Sequence, residues 1–374
     1  MKKHIKIFIA LAVMLFGFTV CEPQGNKGKS IVIDTENTFD TVKLYSPEFF
    51  TAEGKYFQLM DCFDDKIVLR NNVSRESYVG FAERTTEIIV YNLSAGKTEF
   101  TYTVDGEDVL VFGALLRRDT LYVSEFDIKT NYHNIYSYKN GVKTLIAENI
   151  GNYVSQFGPS YNPLVRTADG VFFEDQRYIG DDFIYKIMKA DADGYSEYHS
   201  RNLLTFENAP YGLTVTADGK LSYIIENSNN KREYMQIVSV TEVAEKETTL
   251  LGYNLLSMGS EMLCIEKDGE ESFYLKLRDK EGTELASLSL FGVGELTVIT
   301  DTTGYLTITT YSQTADDDCY LYHYRYSDEG VVLTPVNYNT SFNFSTLVTD
   351  GDNTVILRRG KTGEAEKFGL YMVK

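Results

Sequence analysis

The tetrapeptide TADG occurs twice, in VRTADGVFFED and TVTADGKLSYI, and each copy runs straight into an apolar, β-rich stretch. The same turn-then-strand unit recurs at Asp65, Asp119, Asp169, Asp218, Ser260, Thr303 and Asp352, at intervals of 42 to 54 residues. Even spacing of this kind constrains the chain more than its composition does, because a fixed period means one supersecondary unit stacked repeatedly. A second turn series runs out of phase with the first, at Gly96, Gly141, Gly194, Gly282 and Gly330, with the glycine-free TEVAEK as its fourth member. Runs rich in Tyr, Ile and Val lie between the two series, and two tight turns per repeat fit four short strands. No segment holds the i, i+3, i+4, i+7 apolar spacing over the length of a helix, which excludes helical solenoids. The expectation is an all-β fold, a β-propeller of seven four-stranded blades, with six blades or a pair of β-sandwiches as alternatives.

The last repeat supplies TVILRR and KFGLYMVK and then stops one strand short. Ahead of the first repeat, IVIDTENTFDTVKLYS is left over as a strand. Together they complete a seventh blade, so the ring is expected to be closed by the N-terminal strand, leaving no open circular edge. The ADGKLSYI style of turn resembles the exported propellers of the TolB and YVTN type. That resemblance implies a propeller fold and export and carries no reaction with it, since function does not follow from this fold. The WD dipeptide, the paired kelch glycines and the sialidase box are missing, and the chain has no Trp.

Lys2, Lys3 and Lys6 precede an apolar run from Ile7 to Val20, suited to a secretory signal and too short to span a bilayer. Cys21 follows at once, and the segment resembles a bacterial lipoprotein signal, in which such a cysteine is lipidated. It departs from that pattern at Val20 and Phe18, where a small residue and Leu are usual. The expected organisation is a signal peptide over residues 1–20, a polar tether over 21–30 behind a lipidated Cys21, and a single propeller domain over 31–374. This implies an exported protein of the cell envelope, an outer-membrane lipoprotein facing the periplasm or the cell surface. Ordinary cleavage, leaving a secreted protein, is the alternative. With a formal net charge of −18, the chain repels nucleic acid and anionic lipid, so membrane association is expected through the lipid anchor alone.

No catalytic residue stands out. The chain lacks a GxSxG elbow, and GKS at Gly28 to Ser30 has Pro23 where a P-loop needs its first glycine. His133, His199 and His323 have no metal-ligand spacing and are expected to be structural. ADADG around Asp191 and Asp193 fits a hairpin turn rather than a calcium loop, and the acidic run Asp316 to Asp318 fits a solvated loop end. Cys62, Cys264 and Cys319 are expected as buried free thiols. In CYLYHYRY, alternation puts Tyr320, Tyr322, Tyr324 and Tyr326 on one sheet face, as packing between blades. No cofactor or metal is expected.

The loops carry more information. The first-to-second and third-to-fourth strand turns are tight, whereas NNVSRESYVGFAERT, EFDIKTNYHN, EDQRYIGDDF, ENSNNKREY, YSQTADDD and RRGKTGEAEK read as long loops on the opposite face. The blade-to-blade loops there combine aromatics with amides. Tyr153, Tyr161, Tyr211 and Tyr338 are expected as ligand-contact surface, with Asn162 and Asn208 orienting the ligand. The expected function is a non-enzymatic, membrane-tethered binding module for a glycan, a peptide or an envelope protein. The alternative is a propeller hydrolase or lyase using carboxylates in the central funnel.

Overall fold

The computed structural model describes residues 28–44, 47–51, 55–79, 81–151, 164–179, 182–191, 194–203, 210–215, 221–226, 234–240, 245–251, 253–258, 261–268, 272–279, 282–290, 295–300, 305–311, 318–337, 343–350, 352–359 and 368–374. Two short strands come first, β1 (Ser30–Ile33) and β2 (Phe39–Lys43), and a 3-10 turn (Glu48–Thr51) follows them. Blade 1 is β3 (Lys55–Phe63), β4 (Lys66–Val79), β5 (Phe81–Asn92) and β6 (Lys97–Thr103). Blade 2 is β7 (Val109–Arg117), β8 (Thr120–Asp127), β9 (Tyr132–Lys139) and β10 (Val142–Ile150). Blade 3 is β11 (Leu164–Arg166), β12 (Val171–Ile179), β13 (Asp182–Ala190) and β14 (Tyr195–Leu203). Blade 4 is β15 (Pro210–Val215), β16 (Leu221–Glu226), β17 (Tyr234–Val240) and β18 (Glu245–Leu251). Blade 5 is β19 (Tyr253–Met258), β20 (Glu261–Asp268), β21 (Ser272–Asp279) and β22 (Glu284–Leu290). Blade 6 is β23 (Glu295–Thr300), β24 (Tyr305–Tyr311), β25 (Asp318–Ser327) and β26 (Gly330–Asn337). The last three strands are β27 (Asn343–Thr349), β28 (Thr354–Arg359) and β29 (Phe368–Val373).

Each blade is an antiparallel meander, and first strands of successive blades adjoin, β27 beside β3 and β3 beside β7, so these strands line the axis. Blade 7 is completed by β2, which pairs antiparallel with β29 from Thr41↔Val373 to Lys43↔Tyr371. The ring is therefore a seven-bladed β-propeller closed by the N-terminal segment, as the repeat count implies. One detail differs: the leftover segment forms two strands. β1 lies parallel to β26 as a fifth strand on blade 6, because Asp34 accepts hydrogen bonds from the amides of Glu36 and Asn37 and closes a turn after it.

The core lies between blades. A blade packed on both sides must bury both strand faces, so its second strand is apolar without alternation. Ile67, Val68 and Leu69 of β4 are all fully buried: Ile67 and Leu69 face blade 7, with Val355 and Leu357, while Val68 faces blade 2, with Val111 and Leu121. The outer strand β6 is the reverse, with only Tyr102 buried. At the closing seam the 3-10 turn inserts Phe50 against Phe57 and Phe368, with ring centroids 5.0 and 5.7 Å apart. Tyr322 and Tyr324 pack between blades 5 and 6, as their alternation predicts. Cys62 is a buried free thiol, and burial pushes its pKa up, so it stays protonated. The side chains of Cys264 and Cys319 lie outside the described residues.

Candidate functional site

The elaborated face is built differently from the expectation. Three of the segments read as loops are strand. NNVSRESYVGFAERT continues β4 and β5 into one hairpin that pairs as far as Val79↔Phe81. EDQRYIGDDF is the β12–β13 hairpin, paired to Ile179↔Asp182. EFDIKTNYHN narrows to a four-residue connection: Asp127 Oδ1 accepts from the amides of Lys129 (2.8 Å) and Thr130 (3.3 Å), and its carbonyl accepts from Asn131. Polar residues concealed the first of these strands, where Asn71, Asn72, Glu83, Thr85 and Glu87 find side-chain partners across the ladder. The other three segments, apart from the residues at their ends that belong to strands β16, β17, β24, β25 and β28, lie outside the described residues.

Of the expected contact residues, Tyr153, Tyr161, Asn162, Asn208 and Tyr338 lie outside the described residues, as does Cys21. Tyr211 sits in β15, its backbone opposite Ile224 of β16. At the hairpin tips of this face, Tyr132 is 45% and Ile179 55% exposed.

Beneath the face lies a layer of buried polar side chains that the loop-centred reading missed. Past their apolar runs, the second strands of blades 1, 2 and 3 carry Arg70-Asn71-Asn72, Ser124-Glu125 and Glu174-Asp175-Gln176, all buried. Runs of polar residues inside a packed ring persist only when each is hydrogen-bonded, and here most of the bonds cross between blades or strands. Arg70 donates to the carbonyl of Val111 in blade 2 and to Gln58 Oε1. Burial pushes its guanidinium pKa down to about 10, still charged at neutral pH. Thr85 Oγ1 donates to Asn72 Oδ1 (2.9 Å) and accepts from the Val111 amide (2.9 Å). Glu125 accepts from Tyr102 of blade 1 (2.6 Å) and from Lys143 (3.0 Å), whose ammonium stands 4.1 Å from the Tyr136 ring centroid. Burial and then the Glu125 carboxylate hold the Tyr102 phenol protonated.

In blade 3, Glu174 accepts from Tyr185 (2.8 Å) and from the Leu213 amide of blade 4 (3.2 Å). Asp175 accepts from the Gly151 amide (3.0 Å) and from Arg177. Gly151 is fixed by close approach: a Cβ there would stand 2.0 Å from the Gln176 carbonyl oxygen. The signal for this layer was present in the sequence, as a charged residue closing each apolar run in KIVLRNN, LYVSEF and VFFEDQ.

At the opposite end of the axis, Asp61 follows a bulge at Met60 in β3. Arg166 of blade 3 donates to Asp61 Oδ2 (2.6 Å), to the Leu116 carbonyl of blade 2 and to the Cys62 carbonyl (3.0 Å), and it covers the Phe63 ring. Burial outweighs the arginine and raises the Asp61 pKa. Three inner strands are thereby joined. Ser124 and His133 lie 2.9 Å apart, Oγ to Nδ1, yet both are buried against Phe112 and Phe126, so the pair is core rather than a nucleophile with its base. His323 packs on Phe39 of β2. Among the described residues no group of three or more His, Cys, Asp or Glu could hold a metal ion.

A ring of four-stranded antiparallel blades around an axis defines the class: an all-β propeller. No protein-family model and no curated protein matches the chain. Solved structures do. The β-propeller domain of the Trilobed protease from Pyrococcus furiosus is 11% identical, with a TM-score of 0.53 over 86% of this chain and 94% of that one. An acylaminoacyl peptidase of Pyrococcus horikoshii is likewise 11% identical, with a TM-score of 0.53 over 88% of this chain. The match spans 52% of that peptidase, about half its length. At this identity the likeness establishes the fold alone. The Pyrococcus furiosus domain is described as having an open velcro topology, whereas β2 and β29 pair here.

Proposed function

We propose that this propeller is a non-enzymatic binding platform of the cell envelope that captures a glycan, a peptide or a segment of a partner protein on its elaborated face. The observation that carries this reading is how the buried carboxylates are used. Asp61, Glu125, Glu174 and Asp175 are each hydrogen-bonded to arginine, lysine, tyrosine or backbone amides. Carboxylates held in this way brace the blades, and among the described residues none of these four is left paired with another as acid and base. Glu125, Glu174 and Asp175 form a rigid polar floor beneath the loops, with Asp61 bracing the opposite end of the axis, and a rigid scaffold under variable loops suits recognition. Tyr153, Tyr161, Tyr211 and Tyr338 supply aromatic contact in this reading, and Asn162 and Asn208 the orienting hydrogen bonds. Glycan and peptide arrays probed with the wild type and with a Tyr161→Ala, Tyr338→Ala double variant test it. The expected result is a ligand whose binding weakens by a few kcal/mol in the variant, each buried aromatic contributing about 1 to 2. Undiminished binding by a folded variant places the ligand elsewhere.

The platform is held at the membrane by lipid on Cys21, in an outer-membrane lipoprotein facing the periplasm or the cell surface, with a tether that ends by residue 28 rather than at the expected residue 30, because Lys29 and Ser30 are already docked on blades 5 and 6. The acidic body offers anionic lipid no attraction of its own. Cys21→Ser is expected to move the protein from the membrane fraction to the soluble fraction, and unchanged fractionation rejects the anchor.

A further inference from the structure

β1 is not needed to close the ring, since β2 alone completes blade 7. Its four residues instead line the outer edge of blade 6, parallel to β26, in register from Ser30↔Gly330 to Ile33↔Leu333. The place it fills is shaped for a strand. Gly330 has φ +119°, and a Cβ there would stand 1.9 Å from the Ser30 carbonyl oxygen, so only glycine admits the neighbour. The Ser30 amide donates to the Glu329 carbonyl (2.9 Å) and the Asp34 amide to the Leu333 carbonyl (2.8 Å). Ile31 is 4% exposed, set among Leu263, Leu275, Leu277 and Leu288 of blade 5 and Leu333 of blade 6. Ahead of it, Lys29 Nζ lies 2.6 Å from Glu261 of blade 5 and 5.3 Å from the Tyr326 ring centroid. A backbone ladder, an apolar slot and an acidic group at the slot's entrance are the parts of a strand-addition site.

We infer that the outer edge of blade 6, flanked by blade 5, is an acceptor for a parallel extended peptide with a basic residue two positions before a β-branched aliphatic one, and that β1 is its occupant in cis. The Asp34 turn separates the two N-terminal strands, and β2 keeps its own ladder with β29. β1 therefore leaves without opening the ring, and its short pairing places it among the first segments to open. A peptide with the same pattern takes the vacated place.

The test uses the full chain carrying Ile31→Asp, which expels β1, and a fluorescent peptide with the sequence of residues 28–34, GKSIVID. Fluorescence anisotropy is expected to show saturable binding roughly tenfold or more tighter than to the wild type, whose site is filled in cis for most of the time. A peptide with Lys29→Glu is expected to bind weakly, and adding Gly330→Ala to the protein to abolish binding. Amide hydrogen exchange on the wild type gives a second reading, with Ser30 and Asp34 exchanging faster than Asp40 and Leu44. Absence of peptide binding by a folded Ile31→Asp chain overturns the inference, and so does binding that survives Gly330→Ala. Global unfolding of Ile31→Asp, or exchange at Ser30 as slow as at Asp40, shows instead that β1 is inseparable from the ring and overturns it equally.

Discussion

At the scale of single residues, the polar groups that look functional are mostly structural, and His133 shows the cost. Burial between Phe112 and Phe126 lowers its pKa from 6.5 to about 3, so the folded protein keeps the imidazole neutral. The unfolded chain binds a proton below the ordinary value and the folded chain does not. Its contribution is therefore complete above pH 6.5 and is lost as the pH falls toward 3. Denaturant titrations should show the wild type losing about 1.4 kcal/mol for each pH unit in that window from this group alone. His133→Gln should lack that component of the slope, so identical slopes in the two proteins would exclude it. The structural roles of His133 and His323 and the buried thiol of Cys62 were legible from spacing alone. The Asp61–Arg166 pair was not, because it joins two inner strands whose proximity exists only once the ring closes.

Among elements, apolar periodicity located the strands well and polar composition misplaced their ends. β4 and β5 extend past the apolar run because Asn71, Asn72, Glu83, Thr85 and Glu87 bond one another across the ladder. Such a hairpin carries no hydrophobic alternation to read, and its pairing becomes visible only in register. Thr85 tests whether this network supports the strands. Its hydroxyl links β4, β5 and the Val111 amide of β7 while fully buried. Thr85→Val keeps the shape and strands both an amide and an amide oxygen, so it should cost about 1 to 3 kcal/mol, read as a lower urea midpoint at unchanged m-value. A neutral substitution would mean that water takes over both bonds. The same layer explains why candidate acids in the funnel serve as braces.

For the whole molecule, seven repeats and a missing strand made the ring legible before any coordinates, because stacking and edge closure are properties of the pattern. What stayed hidden was that the N-terminal segment divides its work, β1 lying along blade 6 and β2 bridging from Val336 and Asn337 of blade 6 to β29 of blade 7, since two such short strands on either side of a turn carry no signal of their partners. Truncation separates the two roles. Removing residues up to 34 should leave one cooperative thermal transition lowered by a few degrees. Removing residues up to 44 should lower Tm by roughly 10 °C or more, because the closing seam loses its outer strand and an edge is exposed. Calorimetry that finds the two truncations equal would deny β2 its closing role.

The pairing of β2 with β29, in which the Lys374 amide donates to the Asp40 carbonyl and the Asp40 amide to the Lys374 carbonyl, also sets a timetable. Its partners lie far apart in sequence, so β2 waits for β29, and contacts of such long sequence separation form slowly. Until β29 is made, blade 7 cannot close and its neighbours lack a seam. If the chain is exported, as proposed above, that delay would favour transit, since a ring that has not closed would stay easier to unfold until β29 is available.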